Sequence, residues 1–224
     1  MNGLLFVAAI AAILVAPNLA IDCSKNRCTP RVQTLCKYPN ANPAAACGPV
    51  SSVRFTQAEI TEIINKHNEL RQFVAAGKET RGNPGPQPAA SNMKTVSWDD
   101  ELAQVAQRWT NQCDFGHDEC RDVDRFAVGQ NAGMTMTSGD QHTKPSDIVM
   151  MWYNEVKDMD RNLVNKLTTI DKVGHYTQLV WGDTEKVGCG KIVYKSGGWN
   201  RYYMVCNYGP TGNWMGEPVY RASN

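Results

Sequence analysis

Eight cysteines, Cys23, Cys28, Cys36, Cys47, Cys113, Cys120, Cys189 and Cys206, constrain this chain more than any other feature. Paired as disulfides, they tie together segments that local preference alone could not hold. Their compartment is read from what precedes them. Residues 1–20 carry no charged side chain, and Leu4 to Val15 is almost wholly apolar. A membrane helix needs about 20 apolar residues, so this run is too short to span a bilayer comfortably. With Pro17 breaking it and Ala20 offering a small residue at a cleavage point, it reads as a secretory signal peptide. No second apolar run follows, so a soluble, secreted, extracellular chain without a membrane span is expected. An even cysteine count in that setting points to disulfides. A zinc framework is poorly supported, because no Cys-x-x-Cys pair occurs.

Eight cysteines admit roughly a hundred pairings, so their number alone selects few. One pair follows from strand register. Val187–Tyr194 and Arg201–Tyr208 read as strands around Ser196-Gly-Gly-Trp199, and a two-residue turn at Gly197-Gly198 would join them. Counting outward from that turn sets Cys189 opposite Cys206. The pair falls at a non-hydrogen-bonded site, where Cα atoms lie ~4.5 Å apart and a disulfide fits. One face of this hairpin then carries Val193, Tyr202 and Met204 beside the cysteines. The other carries Ile192, Tyr194, Tyr203 and Val205. Both faces are apolar, so layers should cover both.

The rest of the chain supplies those layers. Residues 21–55 hold four cysteines and several prolines with little apolar periodicity, and read as a loop-rich strap needing staples. Thr56-Gln-Ala-Glu59 is a capping box. Ile60, Ile63, Ile64, His67, Leu70 and Val74 follow at helical spacing, with Gly77 as the stop. After a Pro/Gly-rich loop over 81–88, Ser97 is expected to cap a second helix with Trp98, Leu102, Val105, Ala106, Trp109 and Cys113 on its buried side. Ser146 is expected to cap a third, with Ile148, Val149, Trp152, Val156 and Met159 inward. A strand is expected around Phe126–Met136. Three helices and a small antiparallel sheet define an α+β chain built as a three-layer α-β-α sandwich. The division is signal peptide 1–20, strap 21–55 and one domain over 56–224.

Composition excludes some functions. The formal net charge is +1 at pH 7, with no basic stripe, so nucleic acid is not an expected partner. No Asn-x-Ser/Thr sequon, Gly-x-Ser-x-Gly elbow or His-Glu-x-x-His motif occurs.

Four segments carry a resemblance. Gly174-His-Tyr-Thr-Gln-Leu-Val-Trp-Gly-Asp-Thr184 and Tyr203-Met-Val-Cys-Asn-Tyr-Gly-Pro-Thr-Gly-Asn-Trp214 look like the two long signatures of the CAP superfamily. His67-Asn-Glu-Leu-Arg71 and Gly129-Gln-Asn131 match its shorter segments. The cysteine-rich strap resembles the insect antigen-5 branch, known from venoms and from blood-feeder saliva. The resemblance implies the same α-β-α sandwich. It implies the pairings Cys23–Cys36, Cys28–Cys120 and Cys47–Cys113 besides Cys189–Cys206. It also implies a cleft lined by His117, Gln130, Glu155 and His175.

His117, Glu155 and His175 are residue types that could hold zinc or another divalent ion. Gln130 stands where relatives carry a second carboxylate, although Gln also occurs there in the family pattern. An amide cannot serve as a general base, which removes a paired-carboxylate hydrolysis. No catalytic residue is therefore assigned, and no cofactor is required. His67 is read as structural and His142 as solvated. A sterol or fatty-acid contact is a further implied activity, with Leu163, Val164, Leu167 and Ile170 as its apolar members. The resemblance implies a secreted, monomeric, non-enzymatic venom or salivary component acting on a host molecule or small lipid. As a potential allergen it would meet IgE in sensitised hosts. A metal-dependent hydrolase and a lipid carrier are the alternatives.

Overall fold

The structure is a computed structural model that describes residues 22–24, 27–29 and 32–223. The expected signal peptide lies outside them.

The hairpin organises the molecule. β4 (Lys186–Ser196) and β5 (Trp199–Gly209) pair antiparallel with Ser196 opposite Trp199 and Cys189 opposite Cys206. The cysteine Cα atoms are 4.1 Å apart and the disulfide is formed. β3 (Gly129–Thr137) extends the sheet along the other edge of β5. The free edge of β4 is shared: β1 (Val50–Val53) pairs antiparallel near its end, and β2 (Ser97–Trp98) pairs parallel at its start. The sheet order is β1-β4-β5-β3, with β2 beside β4.

Both faces are covered, as the two apolar faces of the hairpin require. Ile192, Tyr194, Tyr203 and Val205 form one core with Ala106 and Trp109 of α3 (Asp100–Thr110) and with Cys47 of the strap. Two glycines let α3 approach. A Cβ on Gly188 would lie 2.2 Å from the Ala103 nitrogen, and one on Gly190 2.4 Å from the Gln107 Cα. On the opposite face Cys189, Tyr202, Met204, Cys206 and Tyr208 join the larger core. That core is closed by α2 (Gln57–Ala75), α4 (Pro145–Tyr153) and α5 (Gly174–Leu179). The three-layer sandwich follows.

The local expectations divide. Thr56 and Glu59 form the capping box of α2, and Ile63, His67, Leu70 and Val74 are buried. Ser97 does not cap the second helix. Its N–H donates to Glu185 O as part of β2, and Asp99 caps α3 by accepting from the Leu102 N–H. Trp98 accordingly lies in β2, and Cys113 follows the helix at φ 55°. α4 starts one residue before Ser146, at Pro145, with the Asp147 carboxylate accepting the Lys144 N–H. It ends at Tyr153, so Val156 sits in a 3-10 turn over Asn154–Asp158. The strap carries α1 (Thr34–Lys37) as well as β1. It is bonded by Cys23–Cys36, Cys28–Cys120 and Cys47–Cys113.

Two residues of the His67–Arg71 segment hold the larger core. Arg71 is buried, and its guanidinium donates to the carbonyls of Lys94, Leu179, Trp181, Gly182 and Thr184. Burial lowers its pKa to about 10, still far above neutral. One planar cation thus gathers the approach to β2, the end of α5 and the turn before β4 onto α2. Lysine offers a single nitrogen and cannot reach five carbonyls. Arg71→Lys should destabilise the protein by about 3–5 kcal/mol, measured by urea unfolding with disulfides intact.

His67 is fully buried. Its Nδ1 donates to Ile63 O at 2.8 Å, and Tyr208 Oη sits 3.0 Å from Nε2. Burial, with the Arg71 charge adding, lowers its pKa from 6.5 to about 4. The unfolded chain therefore binds a proton more readily. Stability from this residue is present at neutral pH and lost as pH falls from 6.5 to about 4. The loss should amount to about 3 kcal/mol. A His67→Gln variant should lack that slope in melting temperature against pH.

Candidate functional site

The edge strand β3 positions the cleft residues. Successive side chains of a strand leave opposite faces, and Gln130 and Asn131 do so. Gln130 reaches the α3 side, where its Oε1 lies 2.7 Å from His117 Nδ1. Its Nε2 donates to Asp118 Oδ1 at 3.0 Å and to Asn207 Oδ1 at 2.9 Å. Asn207 Nδ2 in turn donates to Leu102 O. Because every acceptor in this chain is defined, the amide has one orientation. His117 carries its proton on Nδ1 and leaves Nε2 free.

Asn131 reaches the α5 side and donates to His175 O at 3.0 Å. There Glu155 meets the start of α5. Glu155 Oε2 accepts from the His175 and Tyr176 N–H groups at 2.8 and 3.1 Å, and Oε1 lies 2.6 Å from His175 Nδ1. Val173, the residue before α5, makes no side-chain capping bond. The carboxylate from the neighbouring turn supplies that cap, where a helix start favours negative charge. The His175 ring also stacks on Trp152 with centroids 6.3 Å apart.

The four residues therefore form two hydrogen-bonded pairs rooted on opposite faces of one strand. Of the expected ligand set, Glu155 and His175 stand in one pair and His117 in the other. No group of three or more His, Cys, Asp or Glu side chains placed to hold a metal ion occurs among the described residues. Glu155 accepts three bonds from α5 and His175, and each Nδ1 faces an acceptor. The two Nε2 atoms and the remaining lone pair of Glu155 Oε1 are the donors these residues keep open.

Sequence reasoning did not single out Asp118, Asn207 or Asn131. Asp118 is buried and accepts from Thr34 Oγ1, Arg121 Nε and Gln130 Nε2. It links the strap to the His117–Gln130 pair. Its position next to His117 was the available signal. Asn207 and Asn131 lie inside family motifs but carry no chemistry that spacing alone would flag.

The four residues of the expected lipid contact differ in exposure. Val164 and Leu167 are fully buried in the larger core, and Leu163 packs against it. Backbone bonds from Val219 to Val164 and from Leu167 to Glu217 pin this segment to the C-terminal stretch. Only Ile170 is substantially exposed. A surface recess of about 1010 Å³ lies elsewhere, between α2 and α4, and carries Lys66, Glu69, Lys78 and Arg81 beside Phe73 and Met150. His67 is structural, as expected.

Residues 64–208 match the family described as CAP, the cysteine-rich secretory protein family. The chain belongs to that family. It is 47% identical to venom allergen 3 of Solenopsis invicta over 228 residues, covering 96% of this chain and 97% of that protein. It is 44% identical to venom allergen 5 of Vespula maculifrons over 222 residues, covering 98% of each. Among solved structures, "Crystal structure of NaASP2 with Zn2+" matches with TM-score 0.65 and 34% identity, over 75% of this chain and 88% of that one. "Structure of BmVAL-1" matches with TM-score 0.67 and 29% identity, over 76% and 85%. The antigen-5 resemblance and the CAP sandwich thus stand. No described helix is long and apolar enough to cross a membrane.

The amide at position 130 follows from its neighbours. A carboxylate there would face the Asp118 carboxylate and Asn207 Oδ1, both acceptors. Gln130→Glu should cost about 1–3 kcal/mol at pH 7 through lost and stranded hydrogen bonds. The deficit against wild type should narrow as pH falls toward 4, because a protonated Glu regains a donor. Paired thermal melts across that range check both.

Proposed function

We propose that this is a secreted, non-enzymatic CAP protein of the venom-allergen type, a venom or salivary component acting by surface contact with a molecule of the recipient. One observation carries the reading. The only carboxylate of the expected cleft is spent on capping α5 and holding His175, and an amide takes the place of the other. Hydrolysis by paired carboxylates needs two acidic groups in different protonation states, and this arrangement does not supply them. The apolar leader and the disulfides support export to an oxidising space. The venom allergen relatives support the setting, and with it IgE as a partner in sensitised hosts.

The second reading is a divalent-metal-dependent hydrolase on His117, Glu155 and His175. It is favoured by the NaASP2 structure, whose description names Zn2+. The pairwise geometry argues against a three-donor centre in this chain. A lipid carrier is favoured less, since two of its four expected contact residues are core.

Calorimetry with zinc, followed by ester and casein hydrolysis with and without chelator, separates these readings. No turnover above that of a His175→Ala variant is expected. A chelator-sensitive activity lost in that variant would overturn the proposal. Competition with a fluorescent sterol and a fluorescent fatty acid should give no saturable binding at micromolar lipid, and saturation would favour the carrier.

A further inference from the structure

The sheet face that carries α3 is longer than its cover. Cross-strand register arranges this face in rows: Gly190–Val205–Ala132, then Ile192–Tyr203–Met134, then Tyr194–Arg201–Met136, then Ser196–Trp199. α3 sits over the first row, where Gly190 admits Gln107. Cys47 and Cys113 of the strap disulfide pack in the core that takes in the second row and Tyr194 of the third, whose hydroxyl donates to Cys113 O. α3 ends at Thr110, and the remaining rows reach past it toward the hairpin tip. Met136 is 56% exposed and Trp199 46% exposed. Phe115, 58% exposed, stands edge-on to Tyr203 with ring centroids 5.6 Å apart.

Arg201 lies among them and is only partly exposed. Its side chain makes no hydrogen bond or ion pair among the described residues, and its Nε is shielded from solvent without an acceptor. Its guanidinium carbon lies 5.9 Å from the centre of the Tyr194 ring. Arg71, Arg81, Arg108, Arg121 and Arg125 all donate to carbonyl or carboxylate oxygens. A guanidinium Nε shielded from solvent without an acceptor is costly in the free protein. A carboxylate arriving from outside would bond the terminal nitrogens of that guanidinium with charge assistance. Trp, Tyr, Met and Arg are also the residues enriched where protein partners bind.

We propose that this exposed end of the sheet, with Phe115, Met134, Met136 and Trp199 around Arg201, docks a partner protein through a segment in which apolar side chains flank a carboxylate. Arg201 takes the carboxylate and the surrounding side chains take the apolar flanks. The proposal rests on the binding reading above and adds the surface and the chemistry of the partner. The hydrolysis and lipid assays test that reading without involving this face, so the two can fail separately.

The test uses the full disulfide-bonded protein with methionine methyls labelled by carbon-13. The probe is the blocked peptide acetyl-Leu-Glu-Phe-Glu-Leu-amide, compared with its Gln counterpart. Met134 and Met136 signals should shift saturably with the Glu peptide, which should bind about tenfold tighter than the Gln peptide. Arg201→Met should erase that difference. Its melting temperature should stay at or above wild type, because a stranded donor is removed. Trp199→Ser, at the exposed tip, should weaken both peptides. Absence of saturable shifts, equal affinity for the two peptides, or a lowered melting temperature in Arg201→Met would overturn the proposal. So would shifts produced by raising protein concentration alone, which mean a second copy occupies the face. Co-sedimentation with phosphatidylserine vesicles that Arg201→Met abolishes would also overturn it, since the face would then serve a membrane.

Discussion

The structure depends on the contact between Arg71 and five backbone carbonyls. A charge buried without a carboxylate partner is normally costly. Here the compensation comes from Lys94, Leu179, Trp181, Gly182 and Thr184, none of which lies in a strand; Leu179 ends α5, and the last three belong to the turn that follows it. Trp181 O and Gly182 O also accept from the Thr184 and Lys94 N–H groups, and the guanidinium supplies the further bonds that buried carbonyls require. The same side chain therefore solves two problems, its own desolvation and that of an irregular turn. That turn connects α5, which presents His175, to β4, which begins the hairpin.

From there the architecture is a matter of close approach. Gly188 and Gly190 flank Cys189 on β4 and face the opposite way, so the strand can carry a disulfide into one core and a helix backbone onto the other. β3 then lies at the far edge, where Gln130 and Asn131 leave opposite faces and anchor His117 and His175 separately. The cleft is a consequence of that edge placement. Its polar groups satisfy one another and the ends of neighbouring elements, which is how partly buried polar groups persist. Arg201 Nε, beyond the reach of α3, is one of the buried polar atoms that lack a partner among the described residues.

Much of the fold was legible because it rests on local signals that repeat. Thr56 and Glu59 announce α2, and Gly197-Gly198 sets a register that places Cys189 against Cys206. The errors came where two local signals competed. Ser97 and Asp99 are both good caps, and pairing of the Ser97 N–H with Glu185 decided for Asp99. Val50 to Val53 gave no strong pattern, and β4 recruited it as an edge strand. Leu163, Val164, Leu167 and Ile170 looked alike as apolar residues in a polar stretch. Only the packing of the C-terminal stretch against them separated core from surface.

By itself the amino-acid sequence determined the hairpin, its two apolar faces, one disulfide and, through two long signatures, the family. These follow from short-range periodicity and from residue types at fixed spacing. Tertiary structure alone decided how the cleft residues combine. His117, Gln130, Glu155 and His175 come from four separate segments, and their chemistry depends on which oxygen faces which nitrogen across tenths of an ångström. It also decided that Arg71 is a structural hub and Arg201 a cation without an acceptor. The two are the same residue type, and only their surroundings distinguish them.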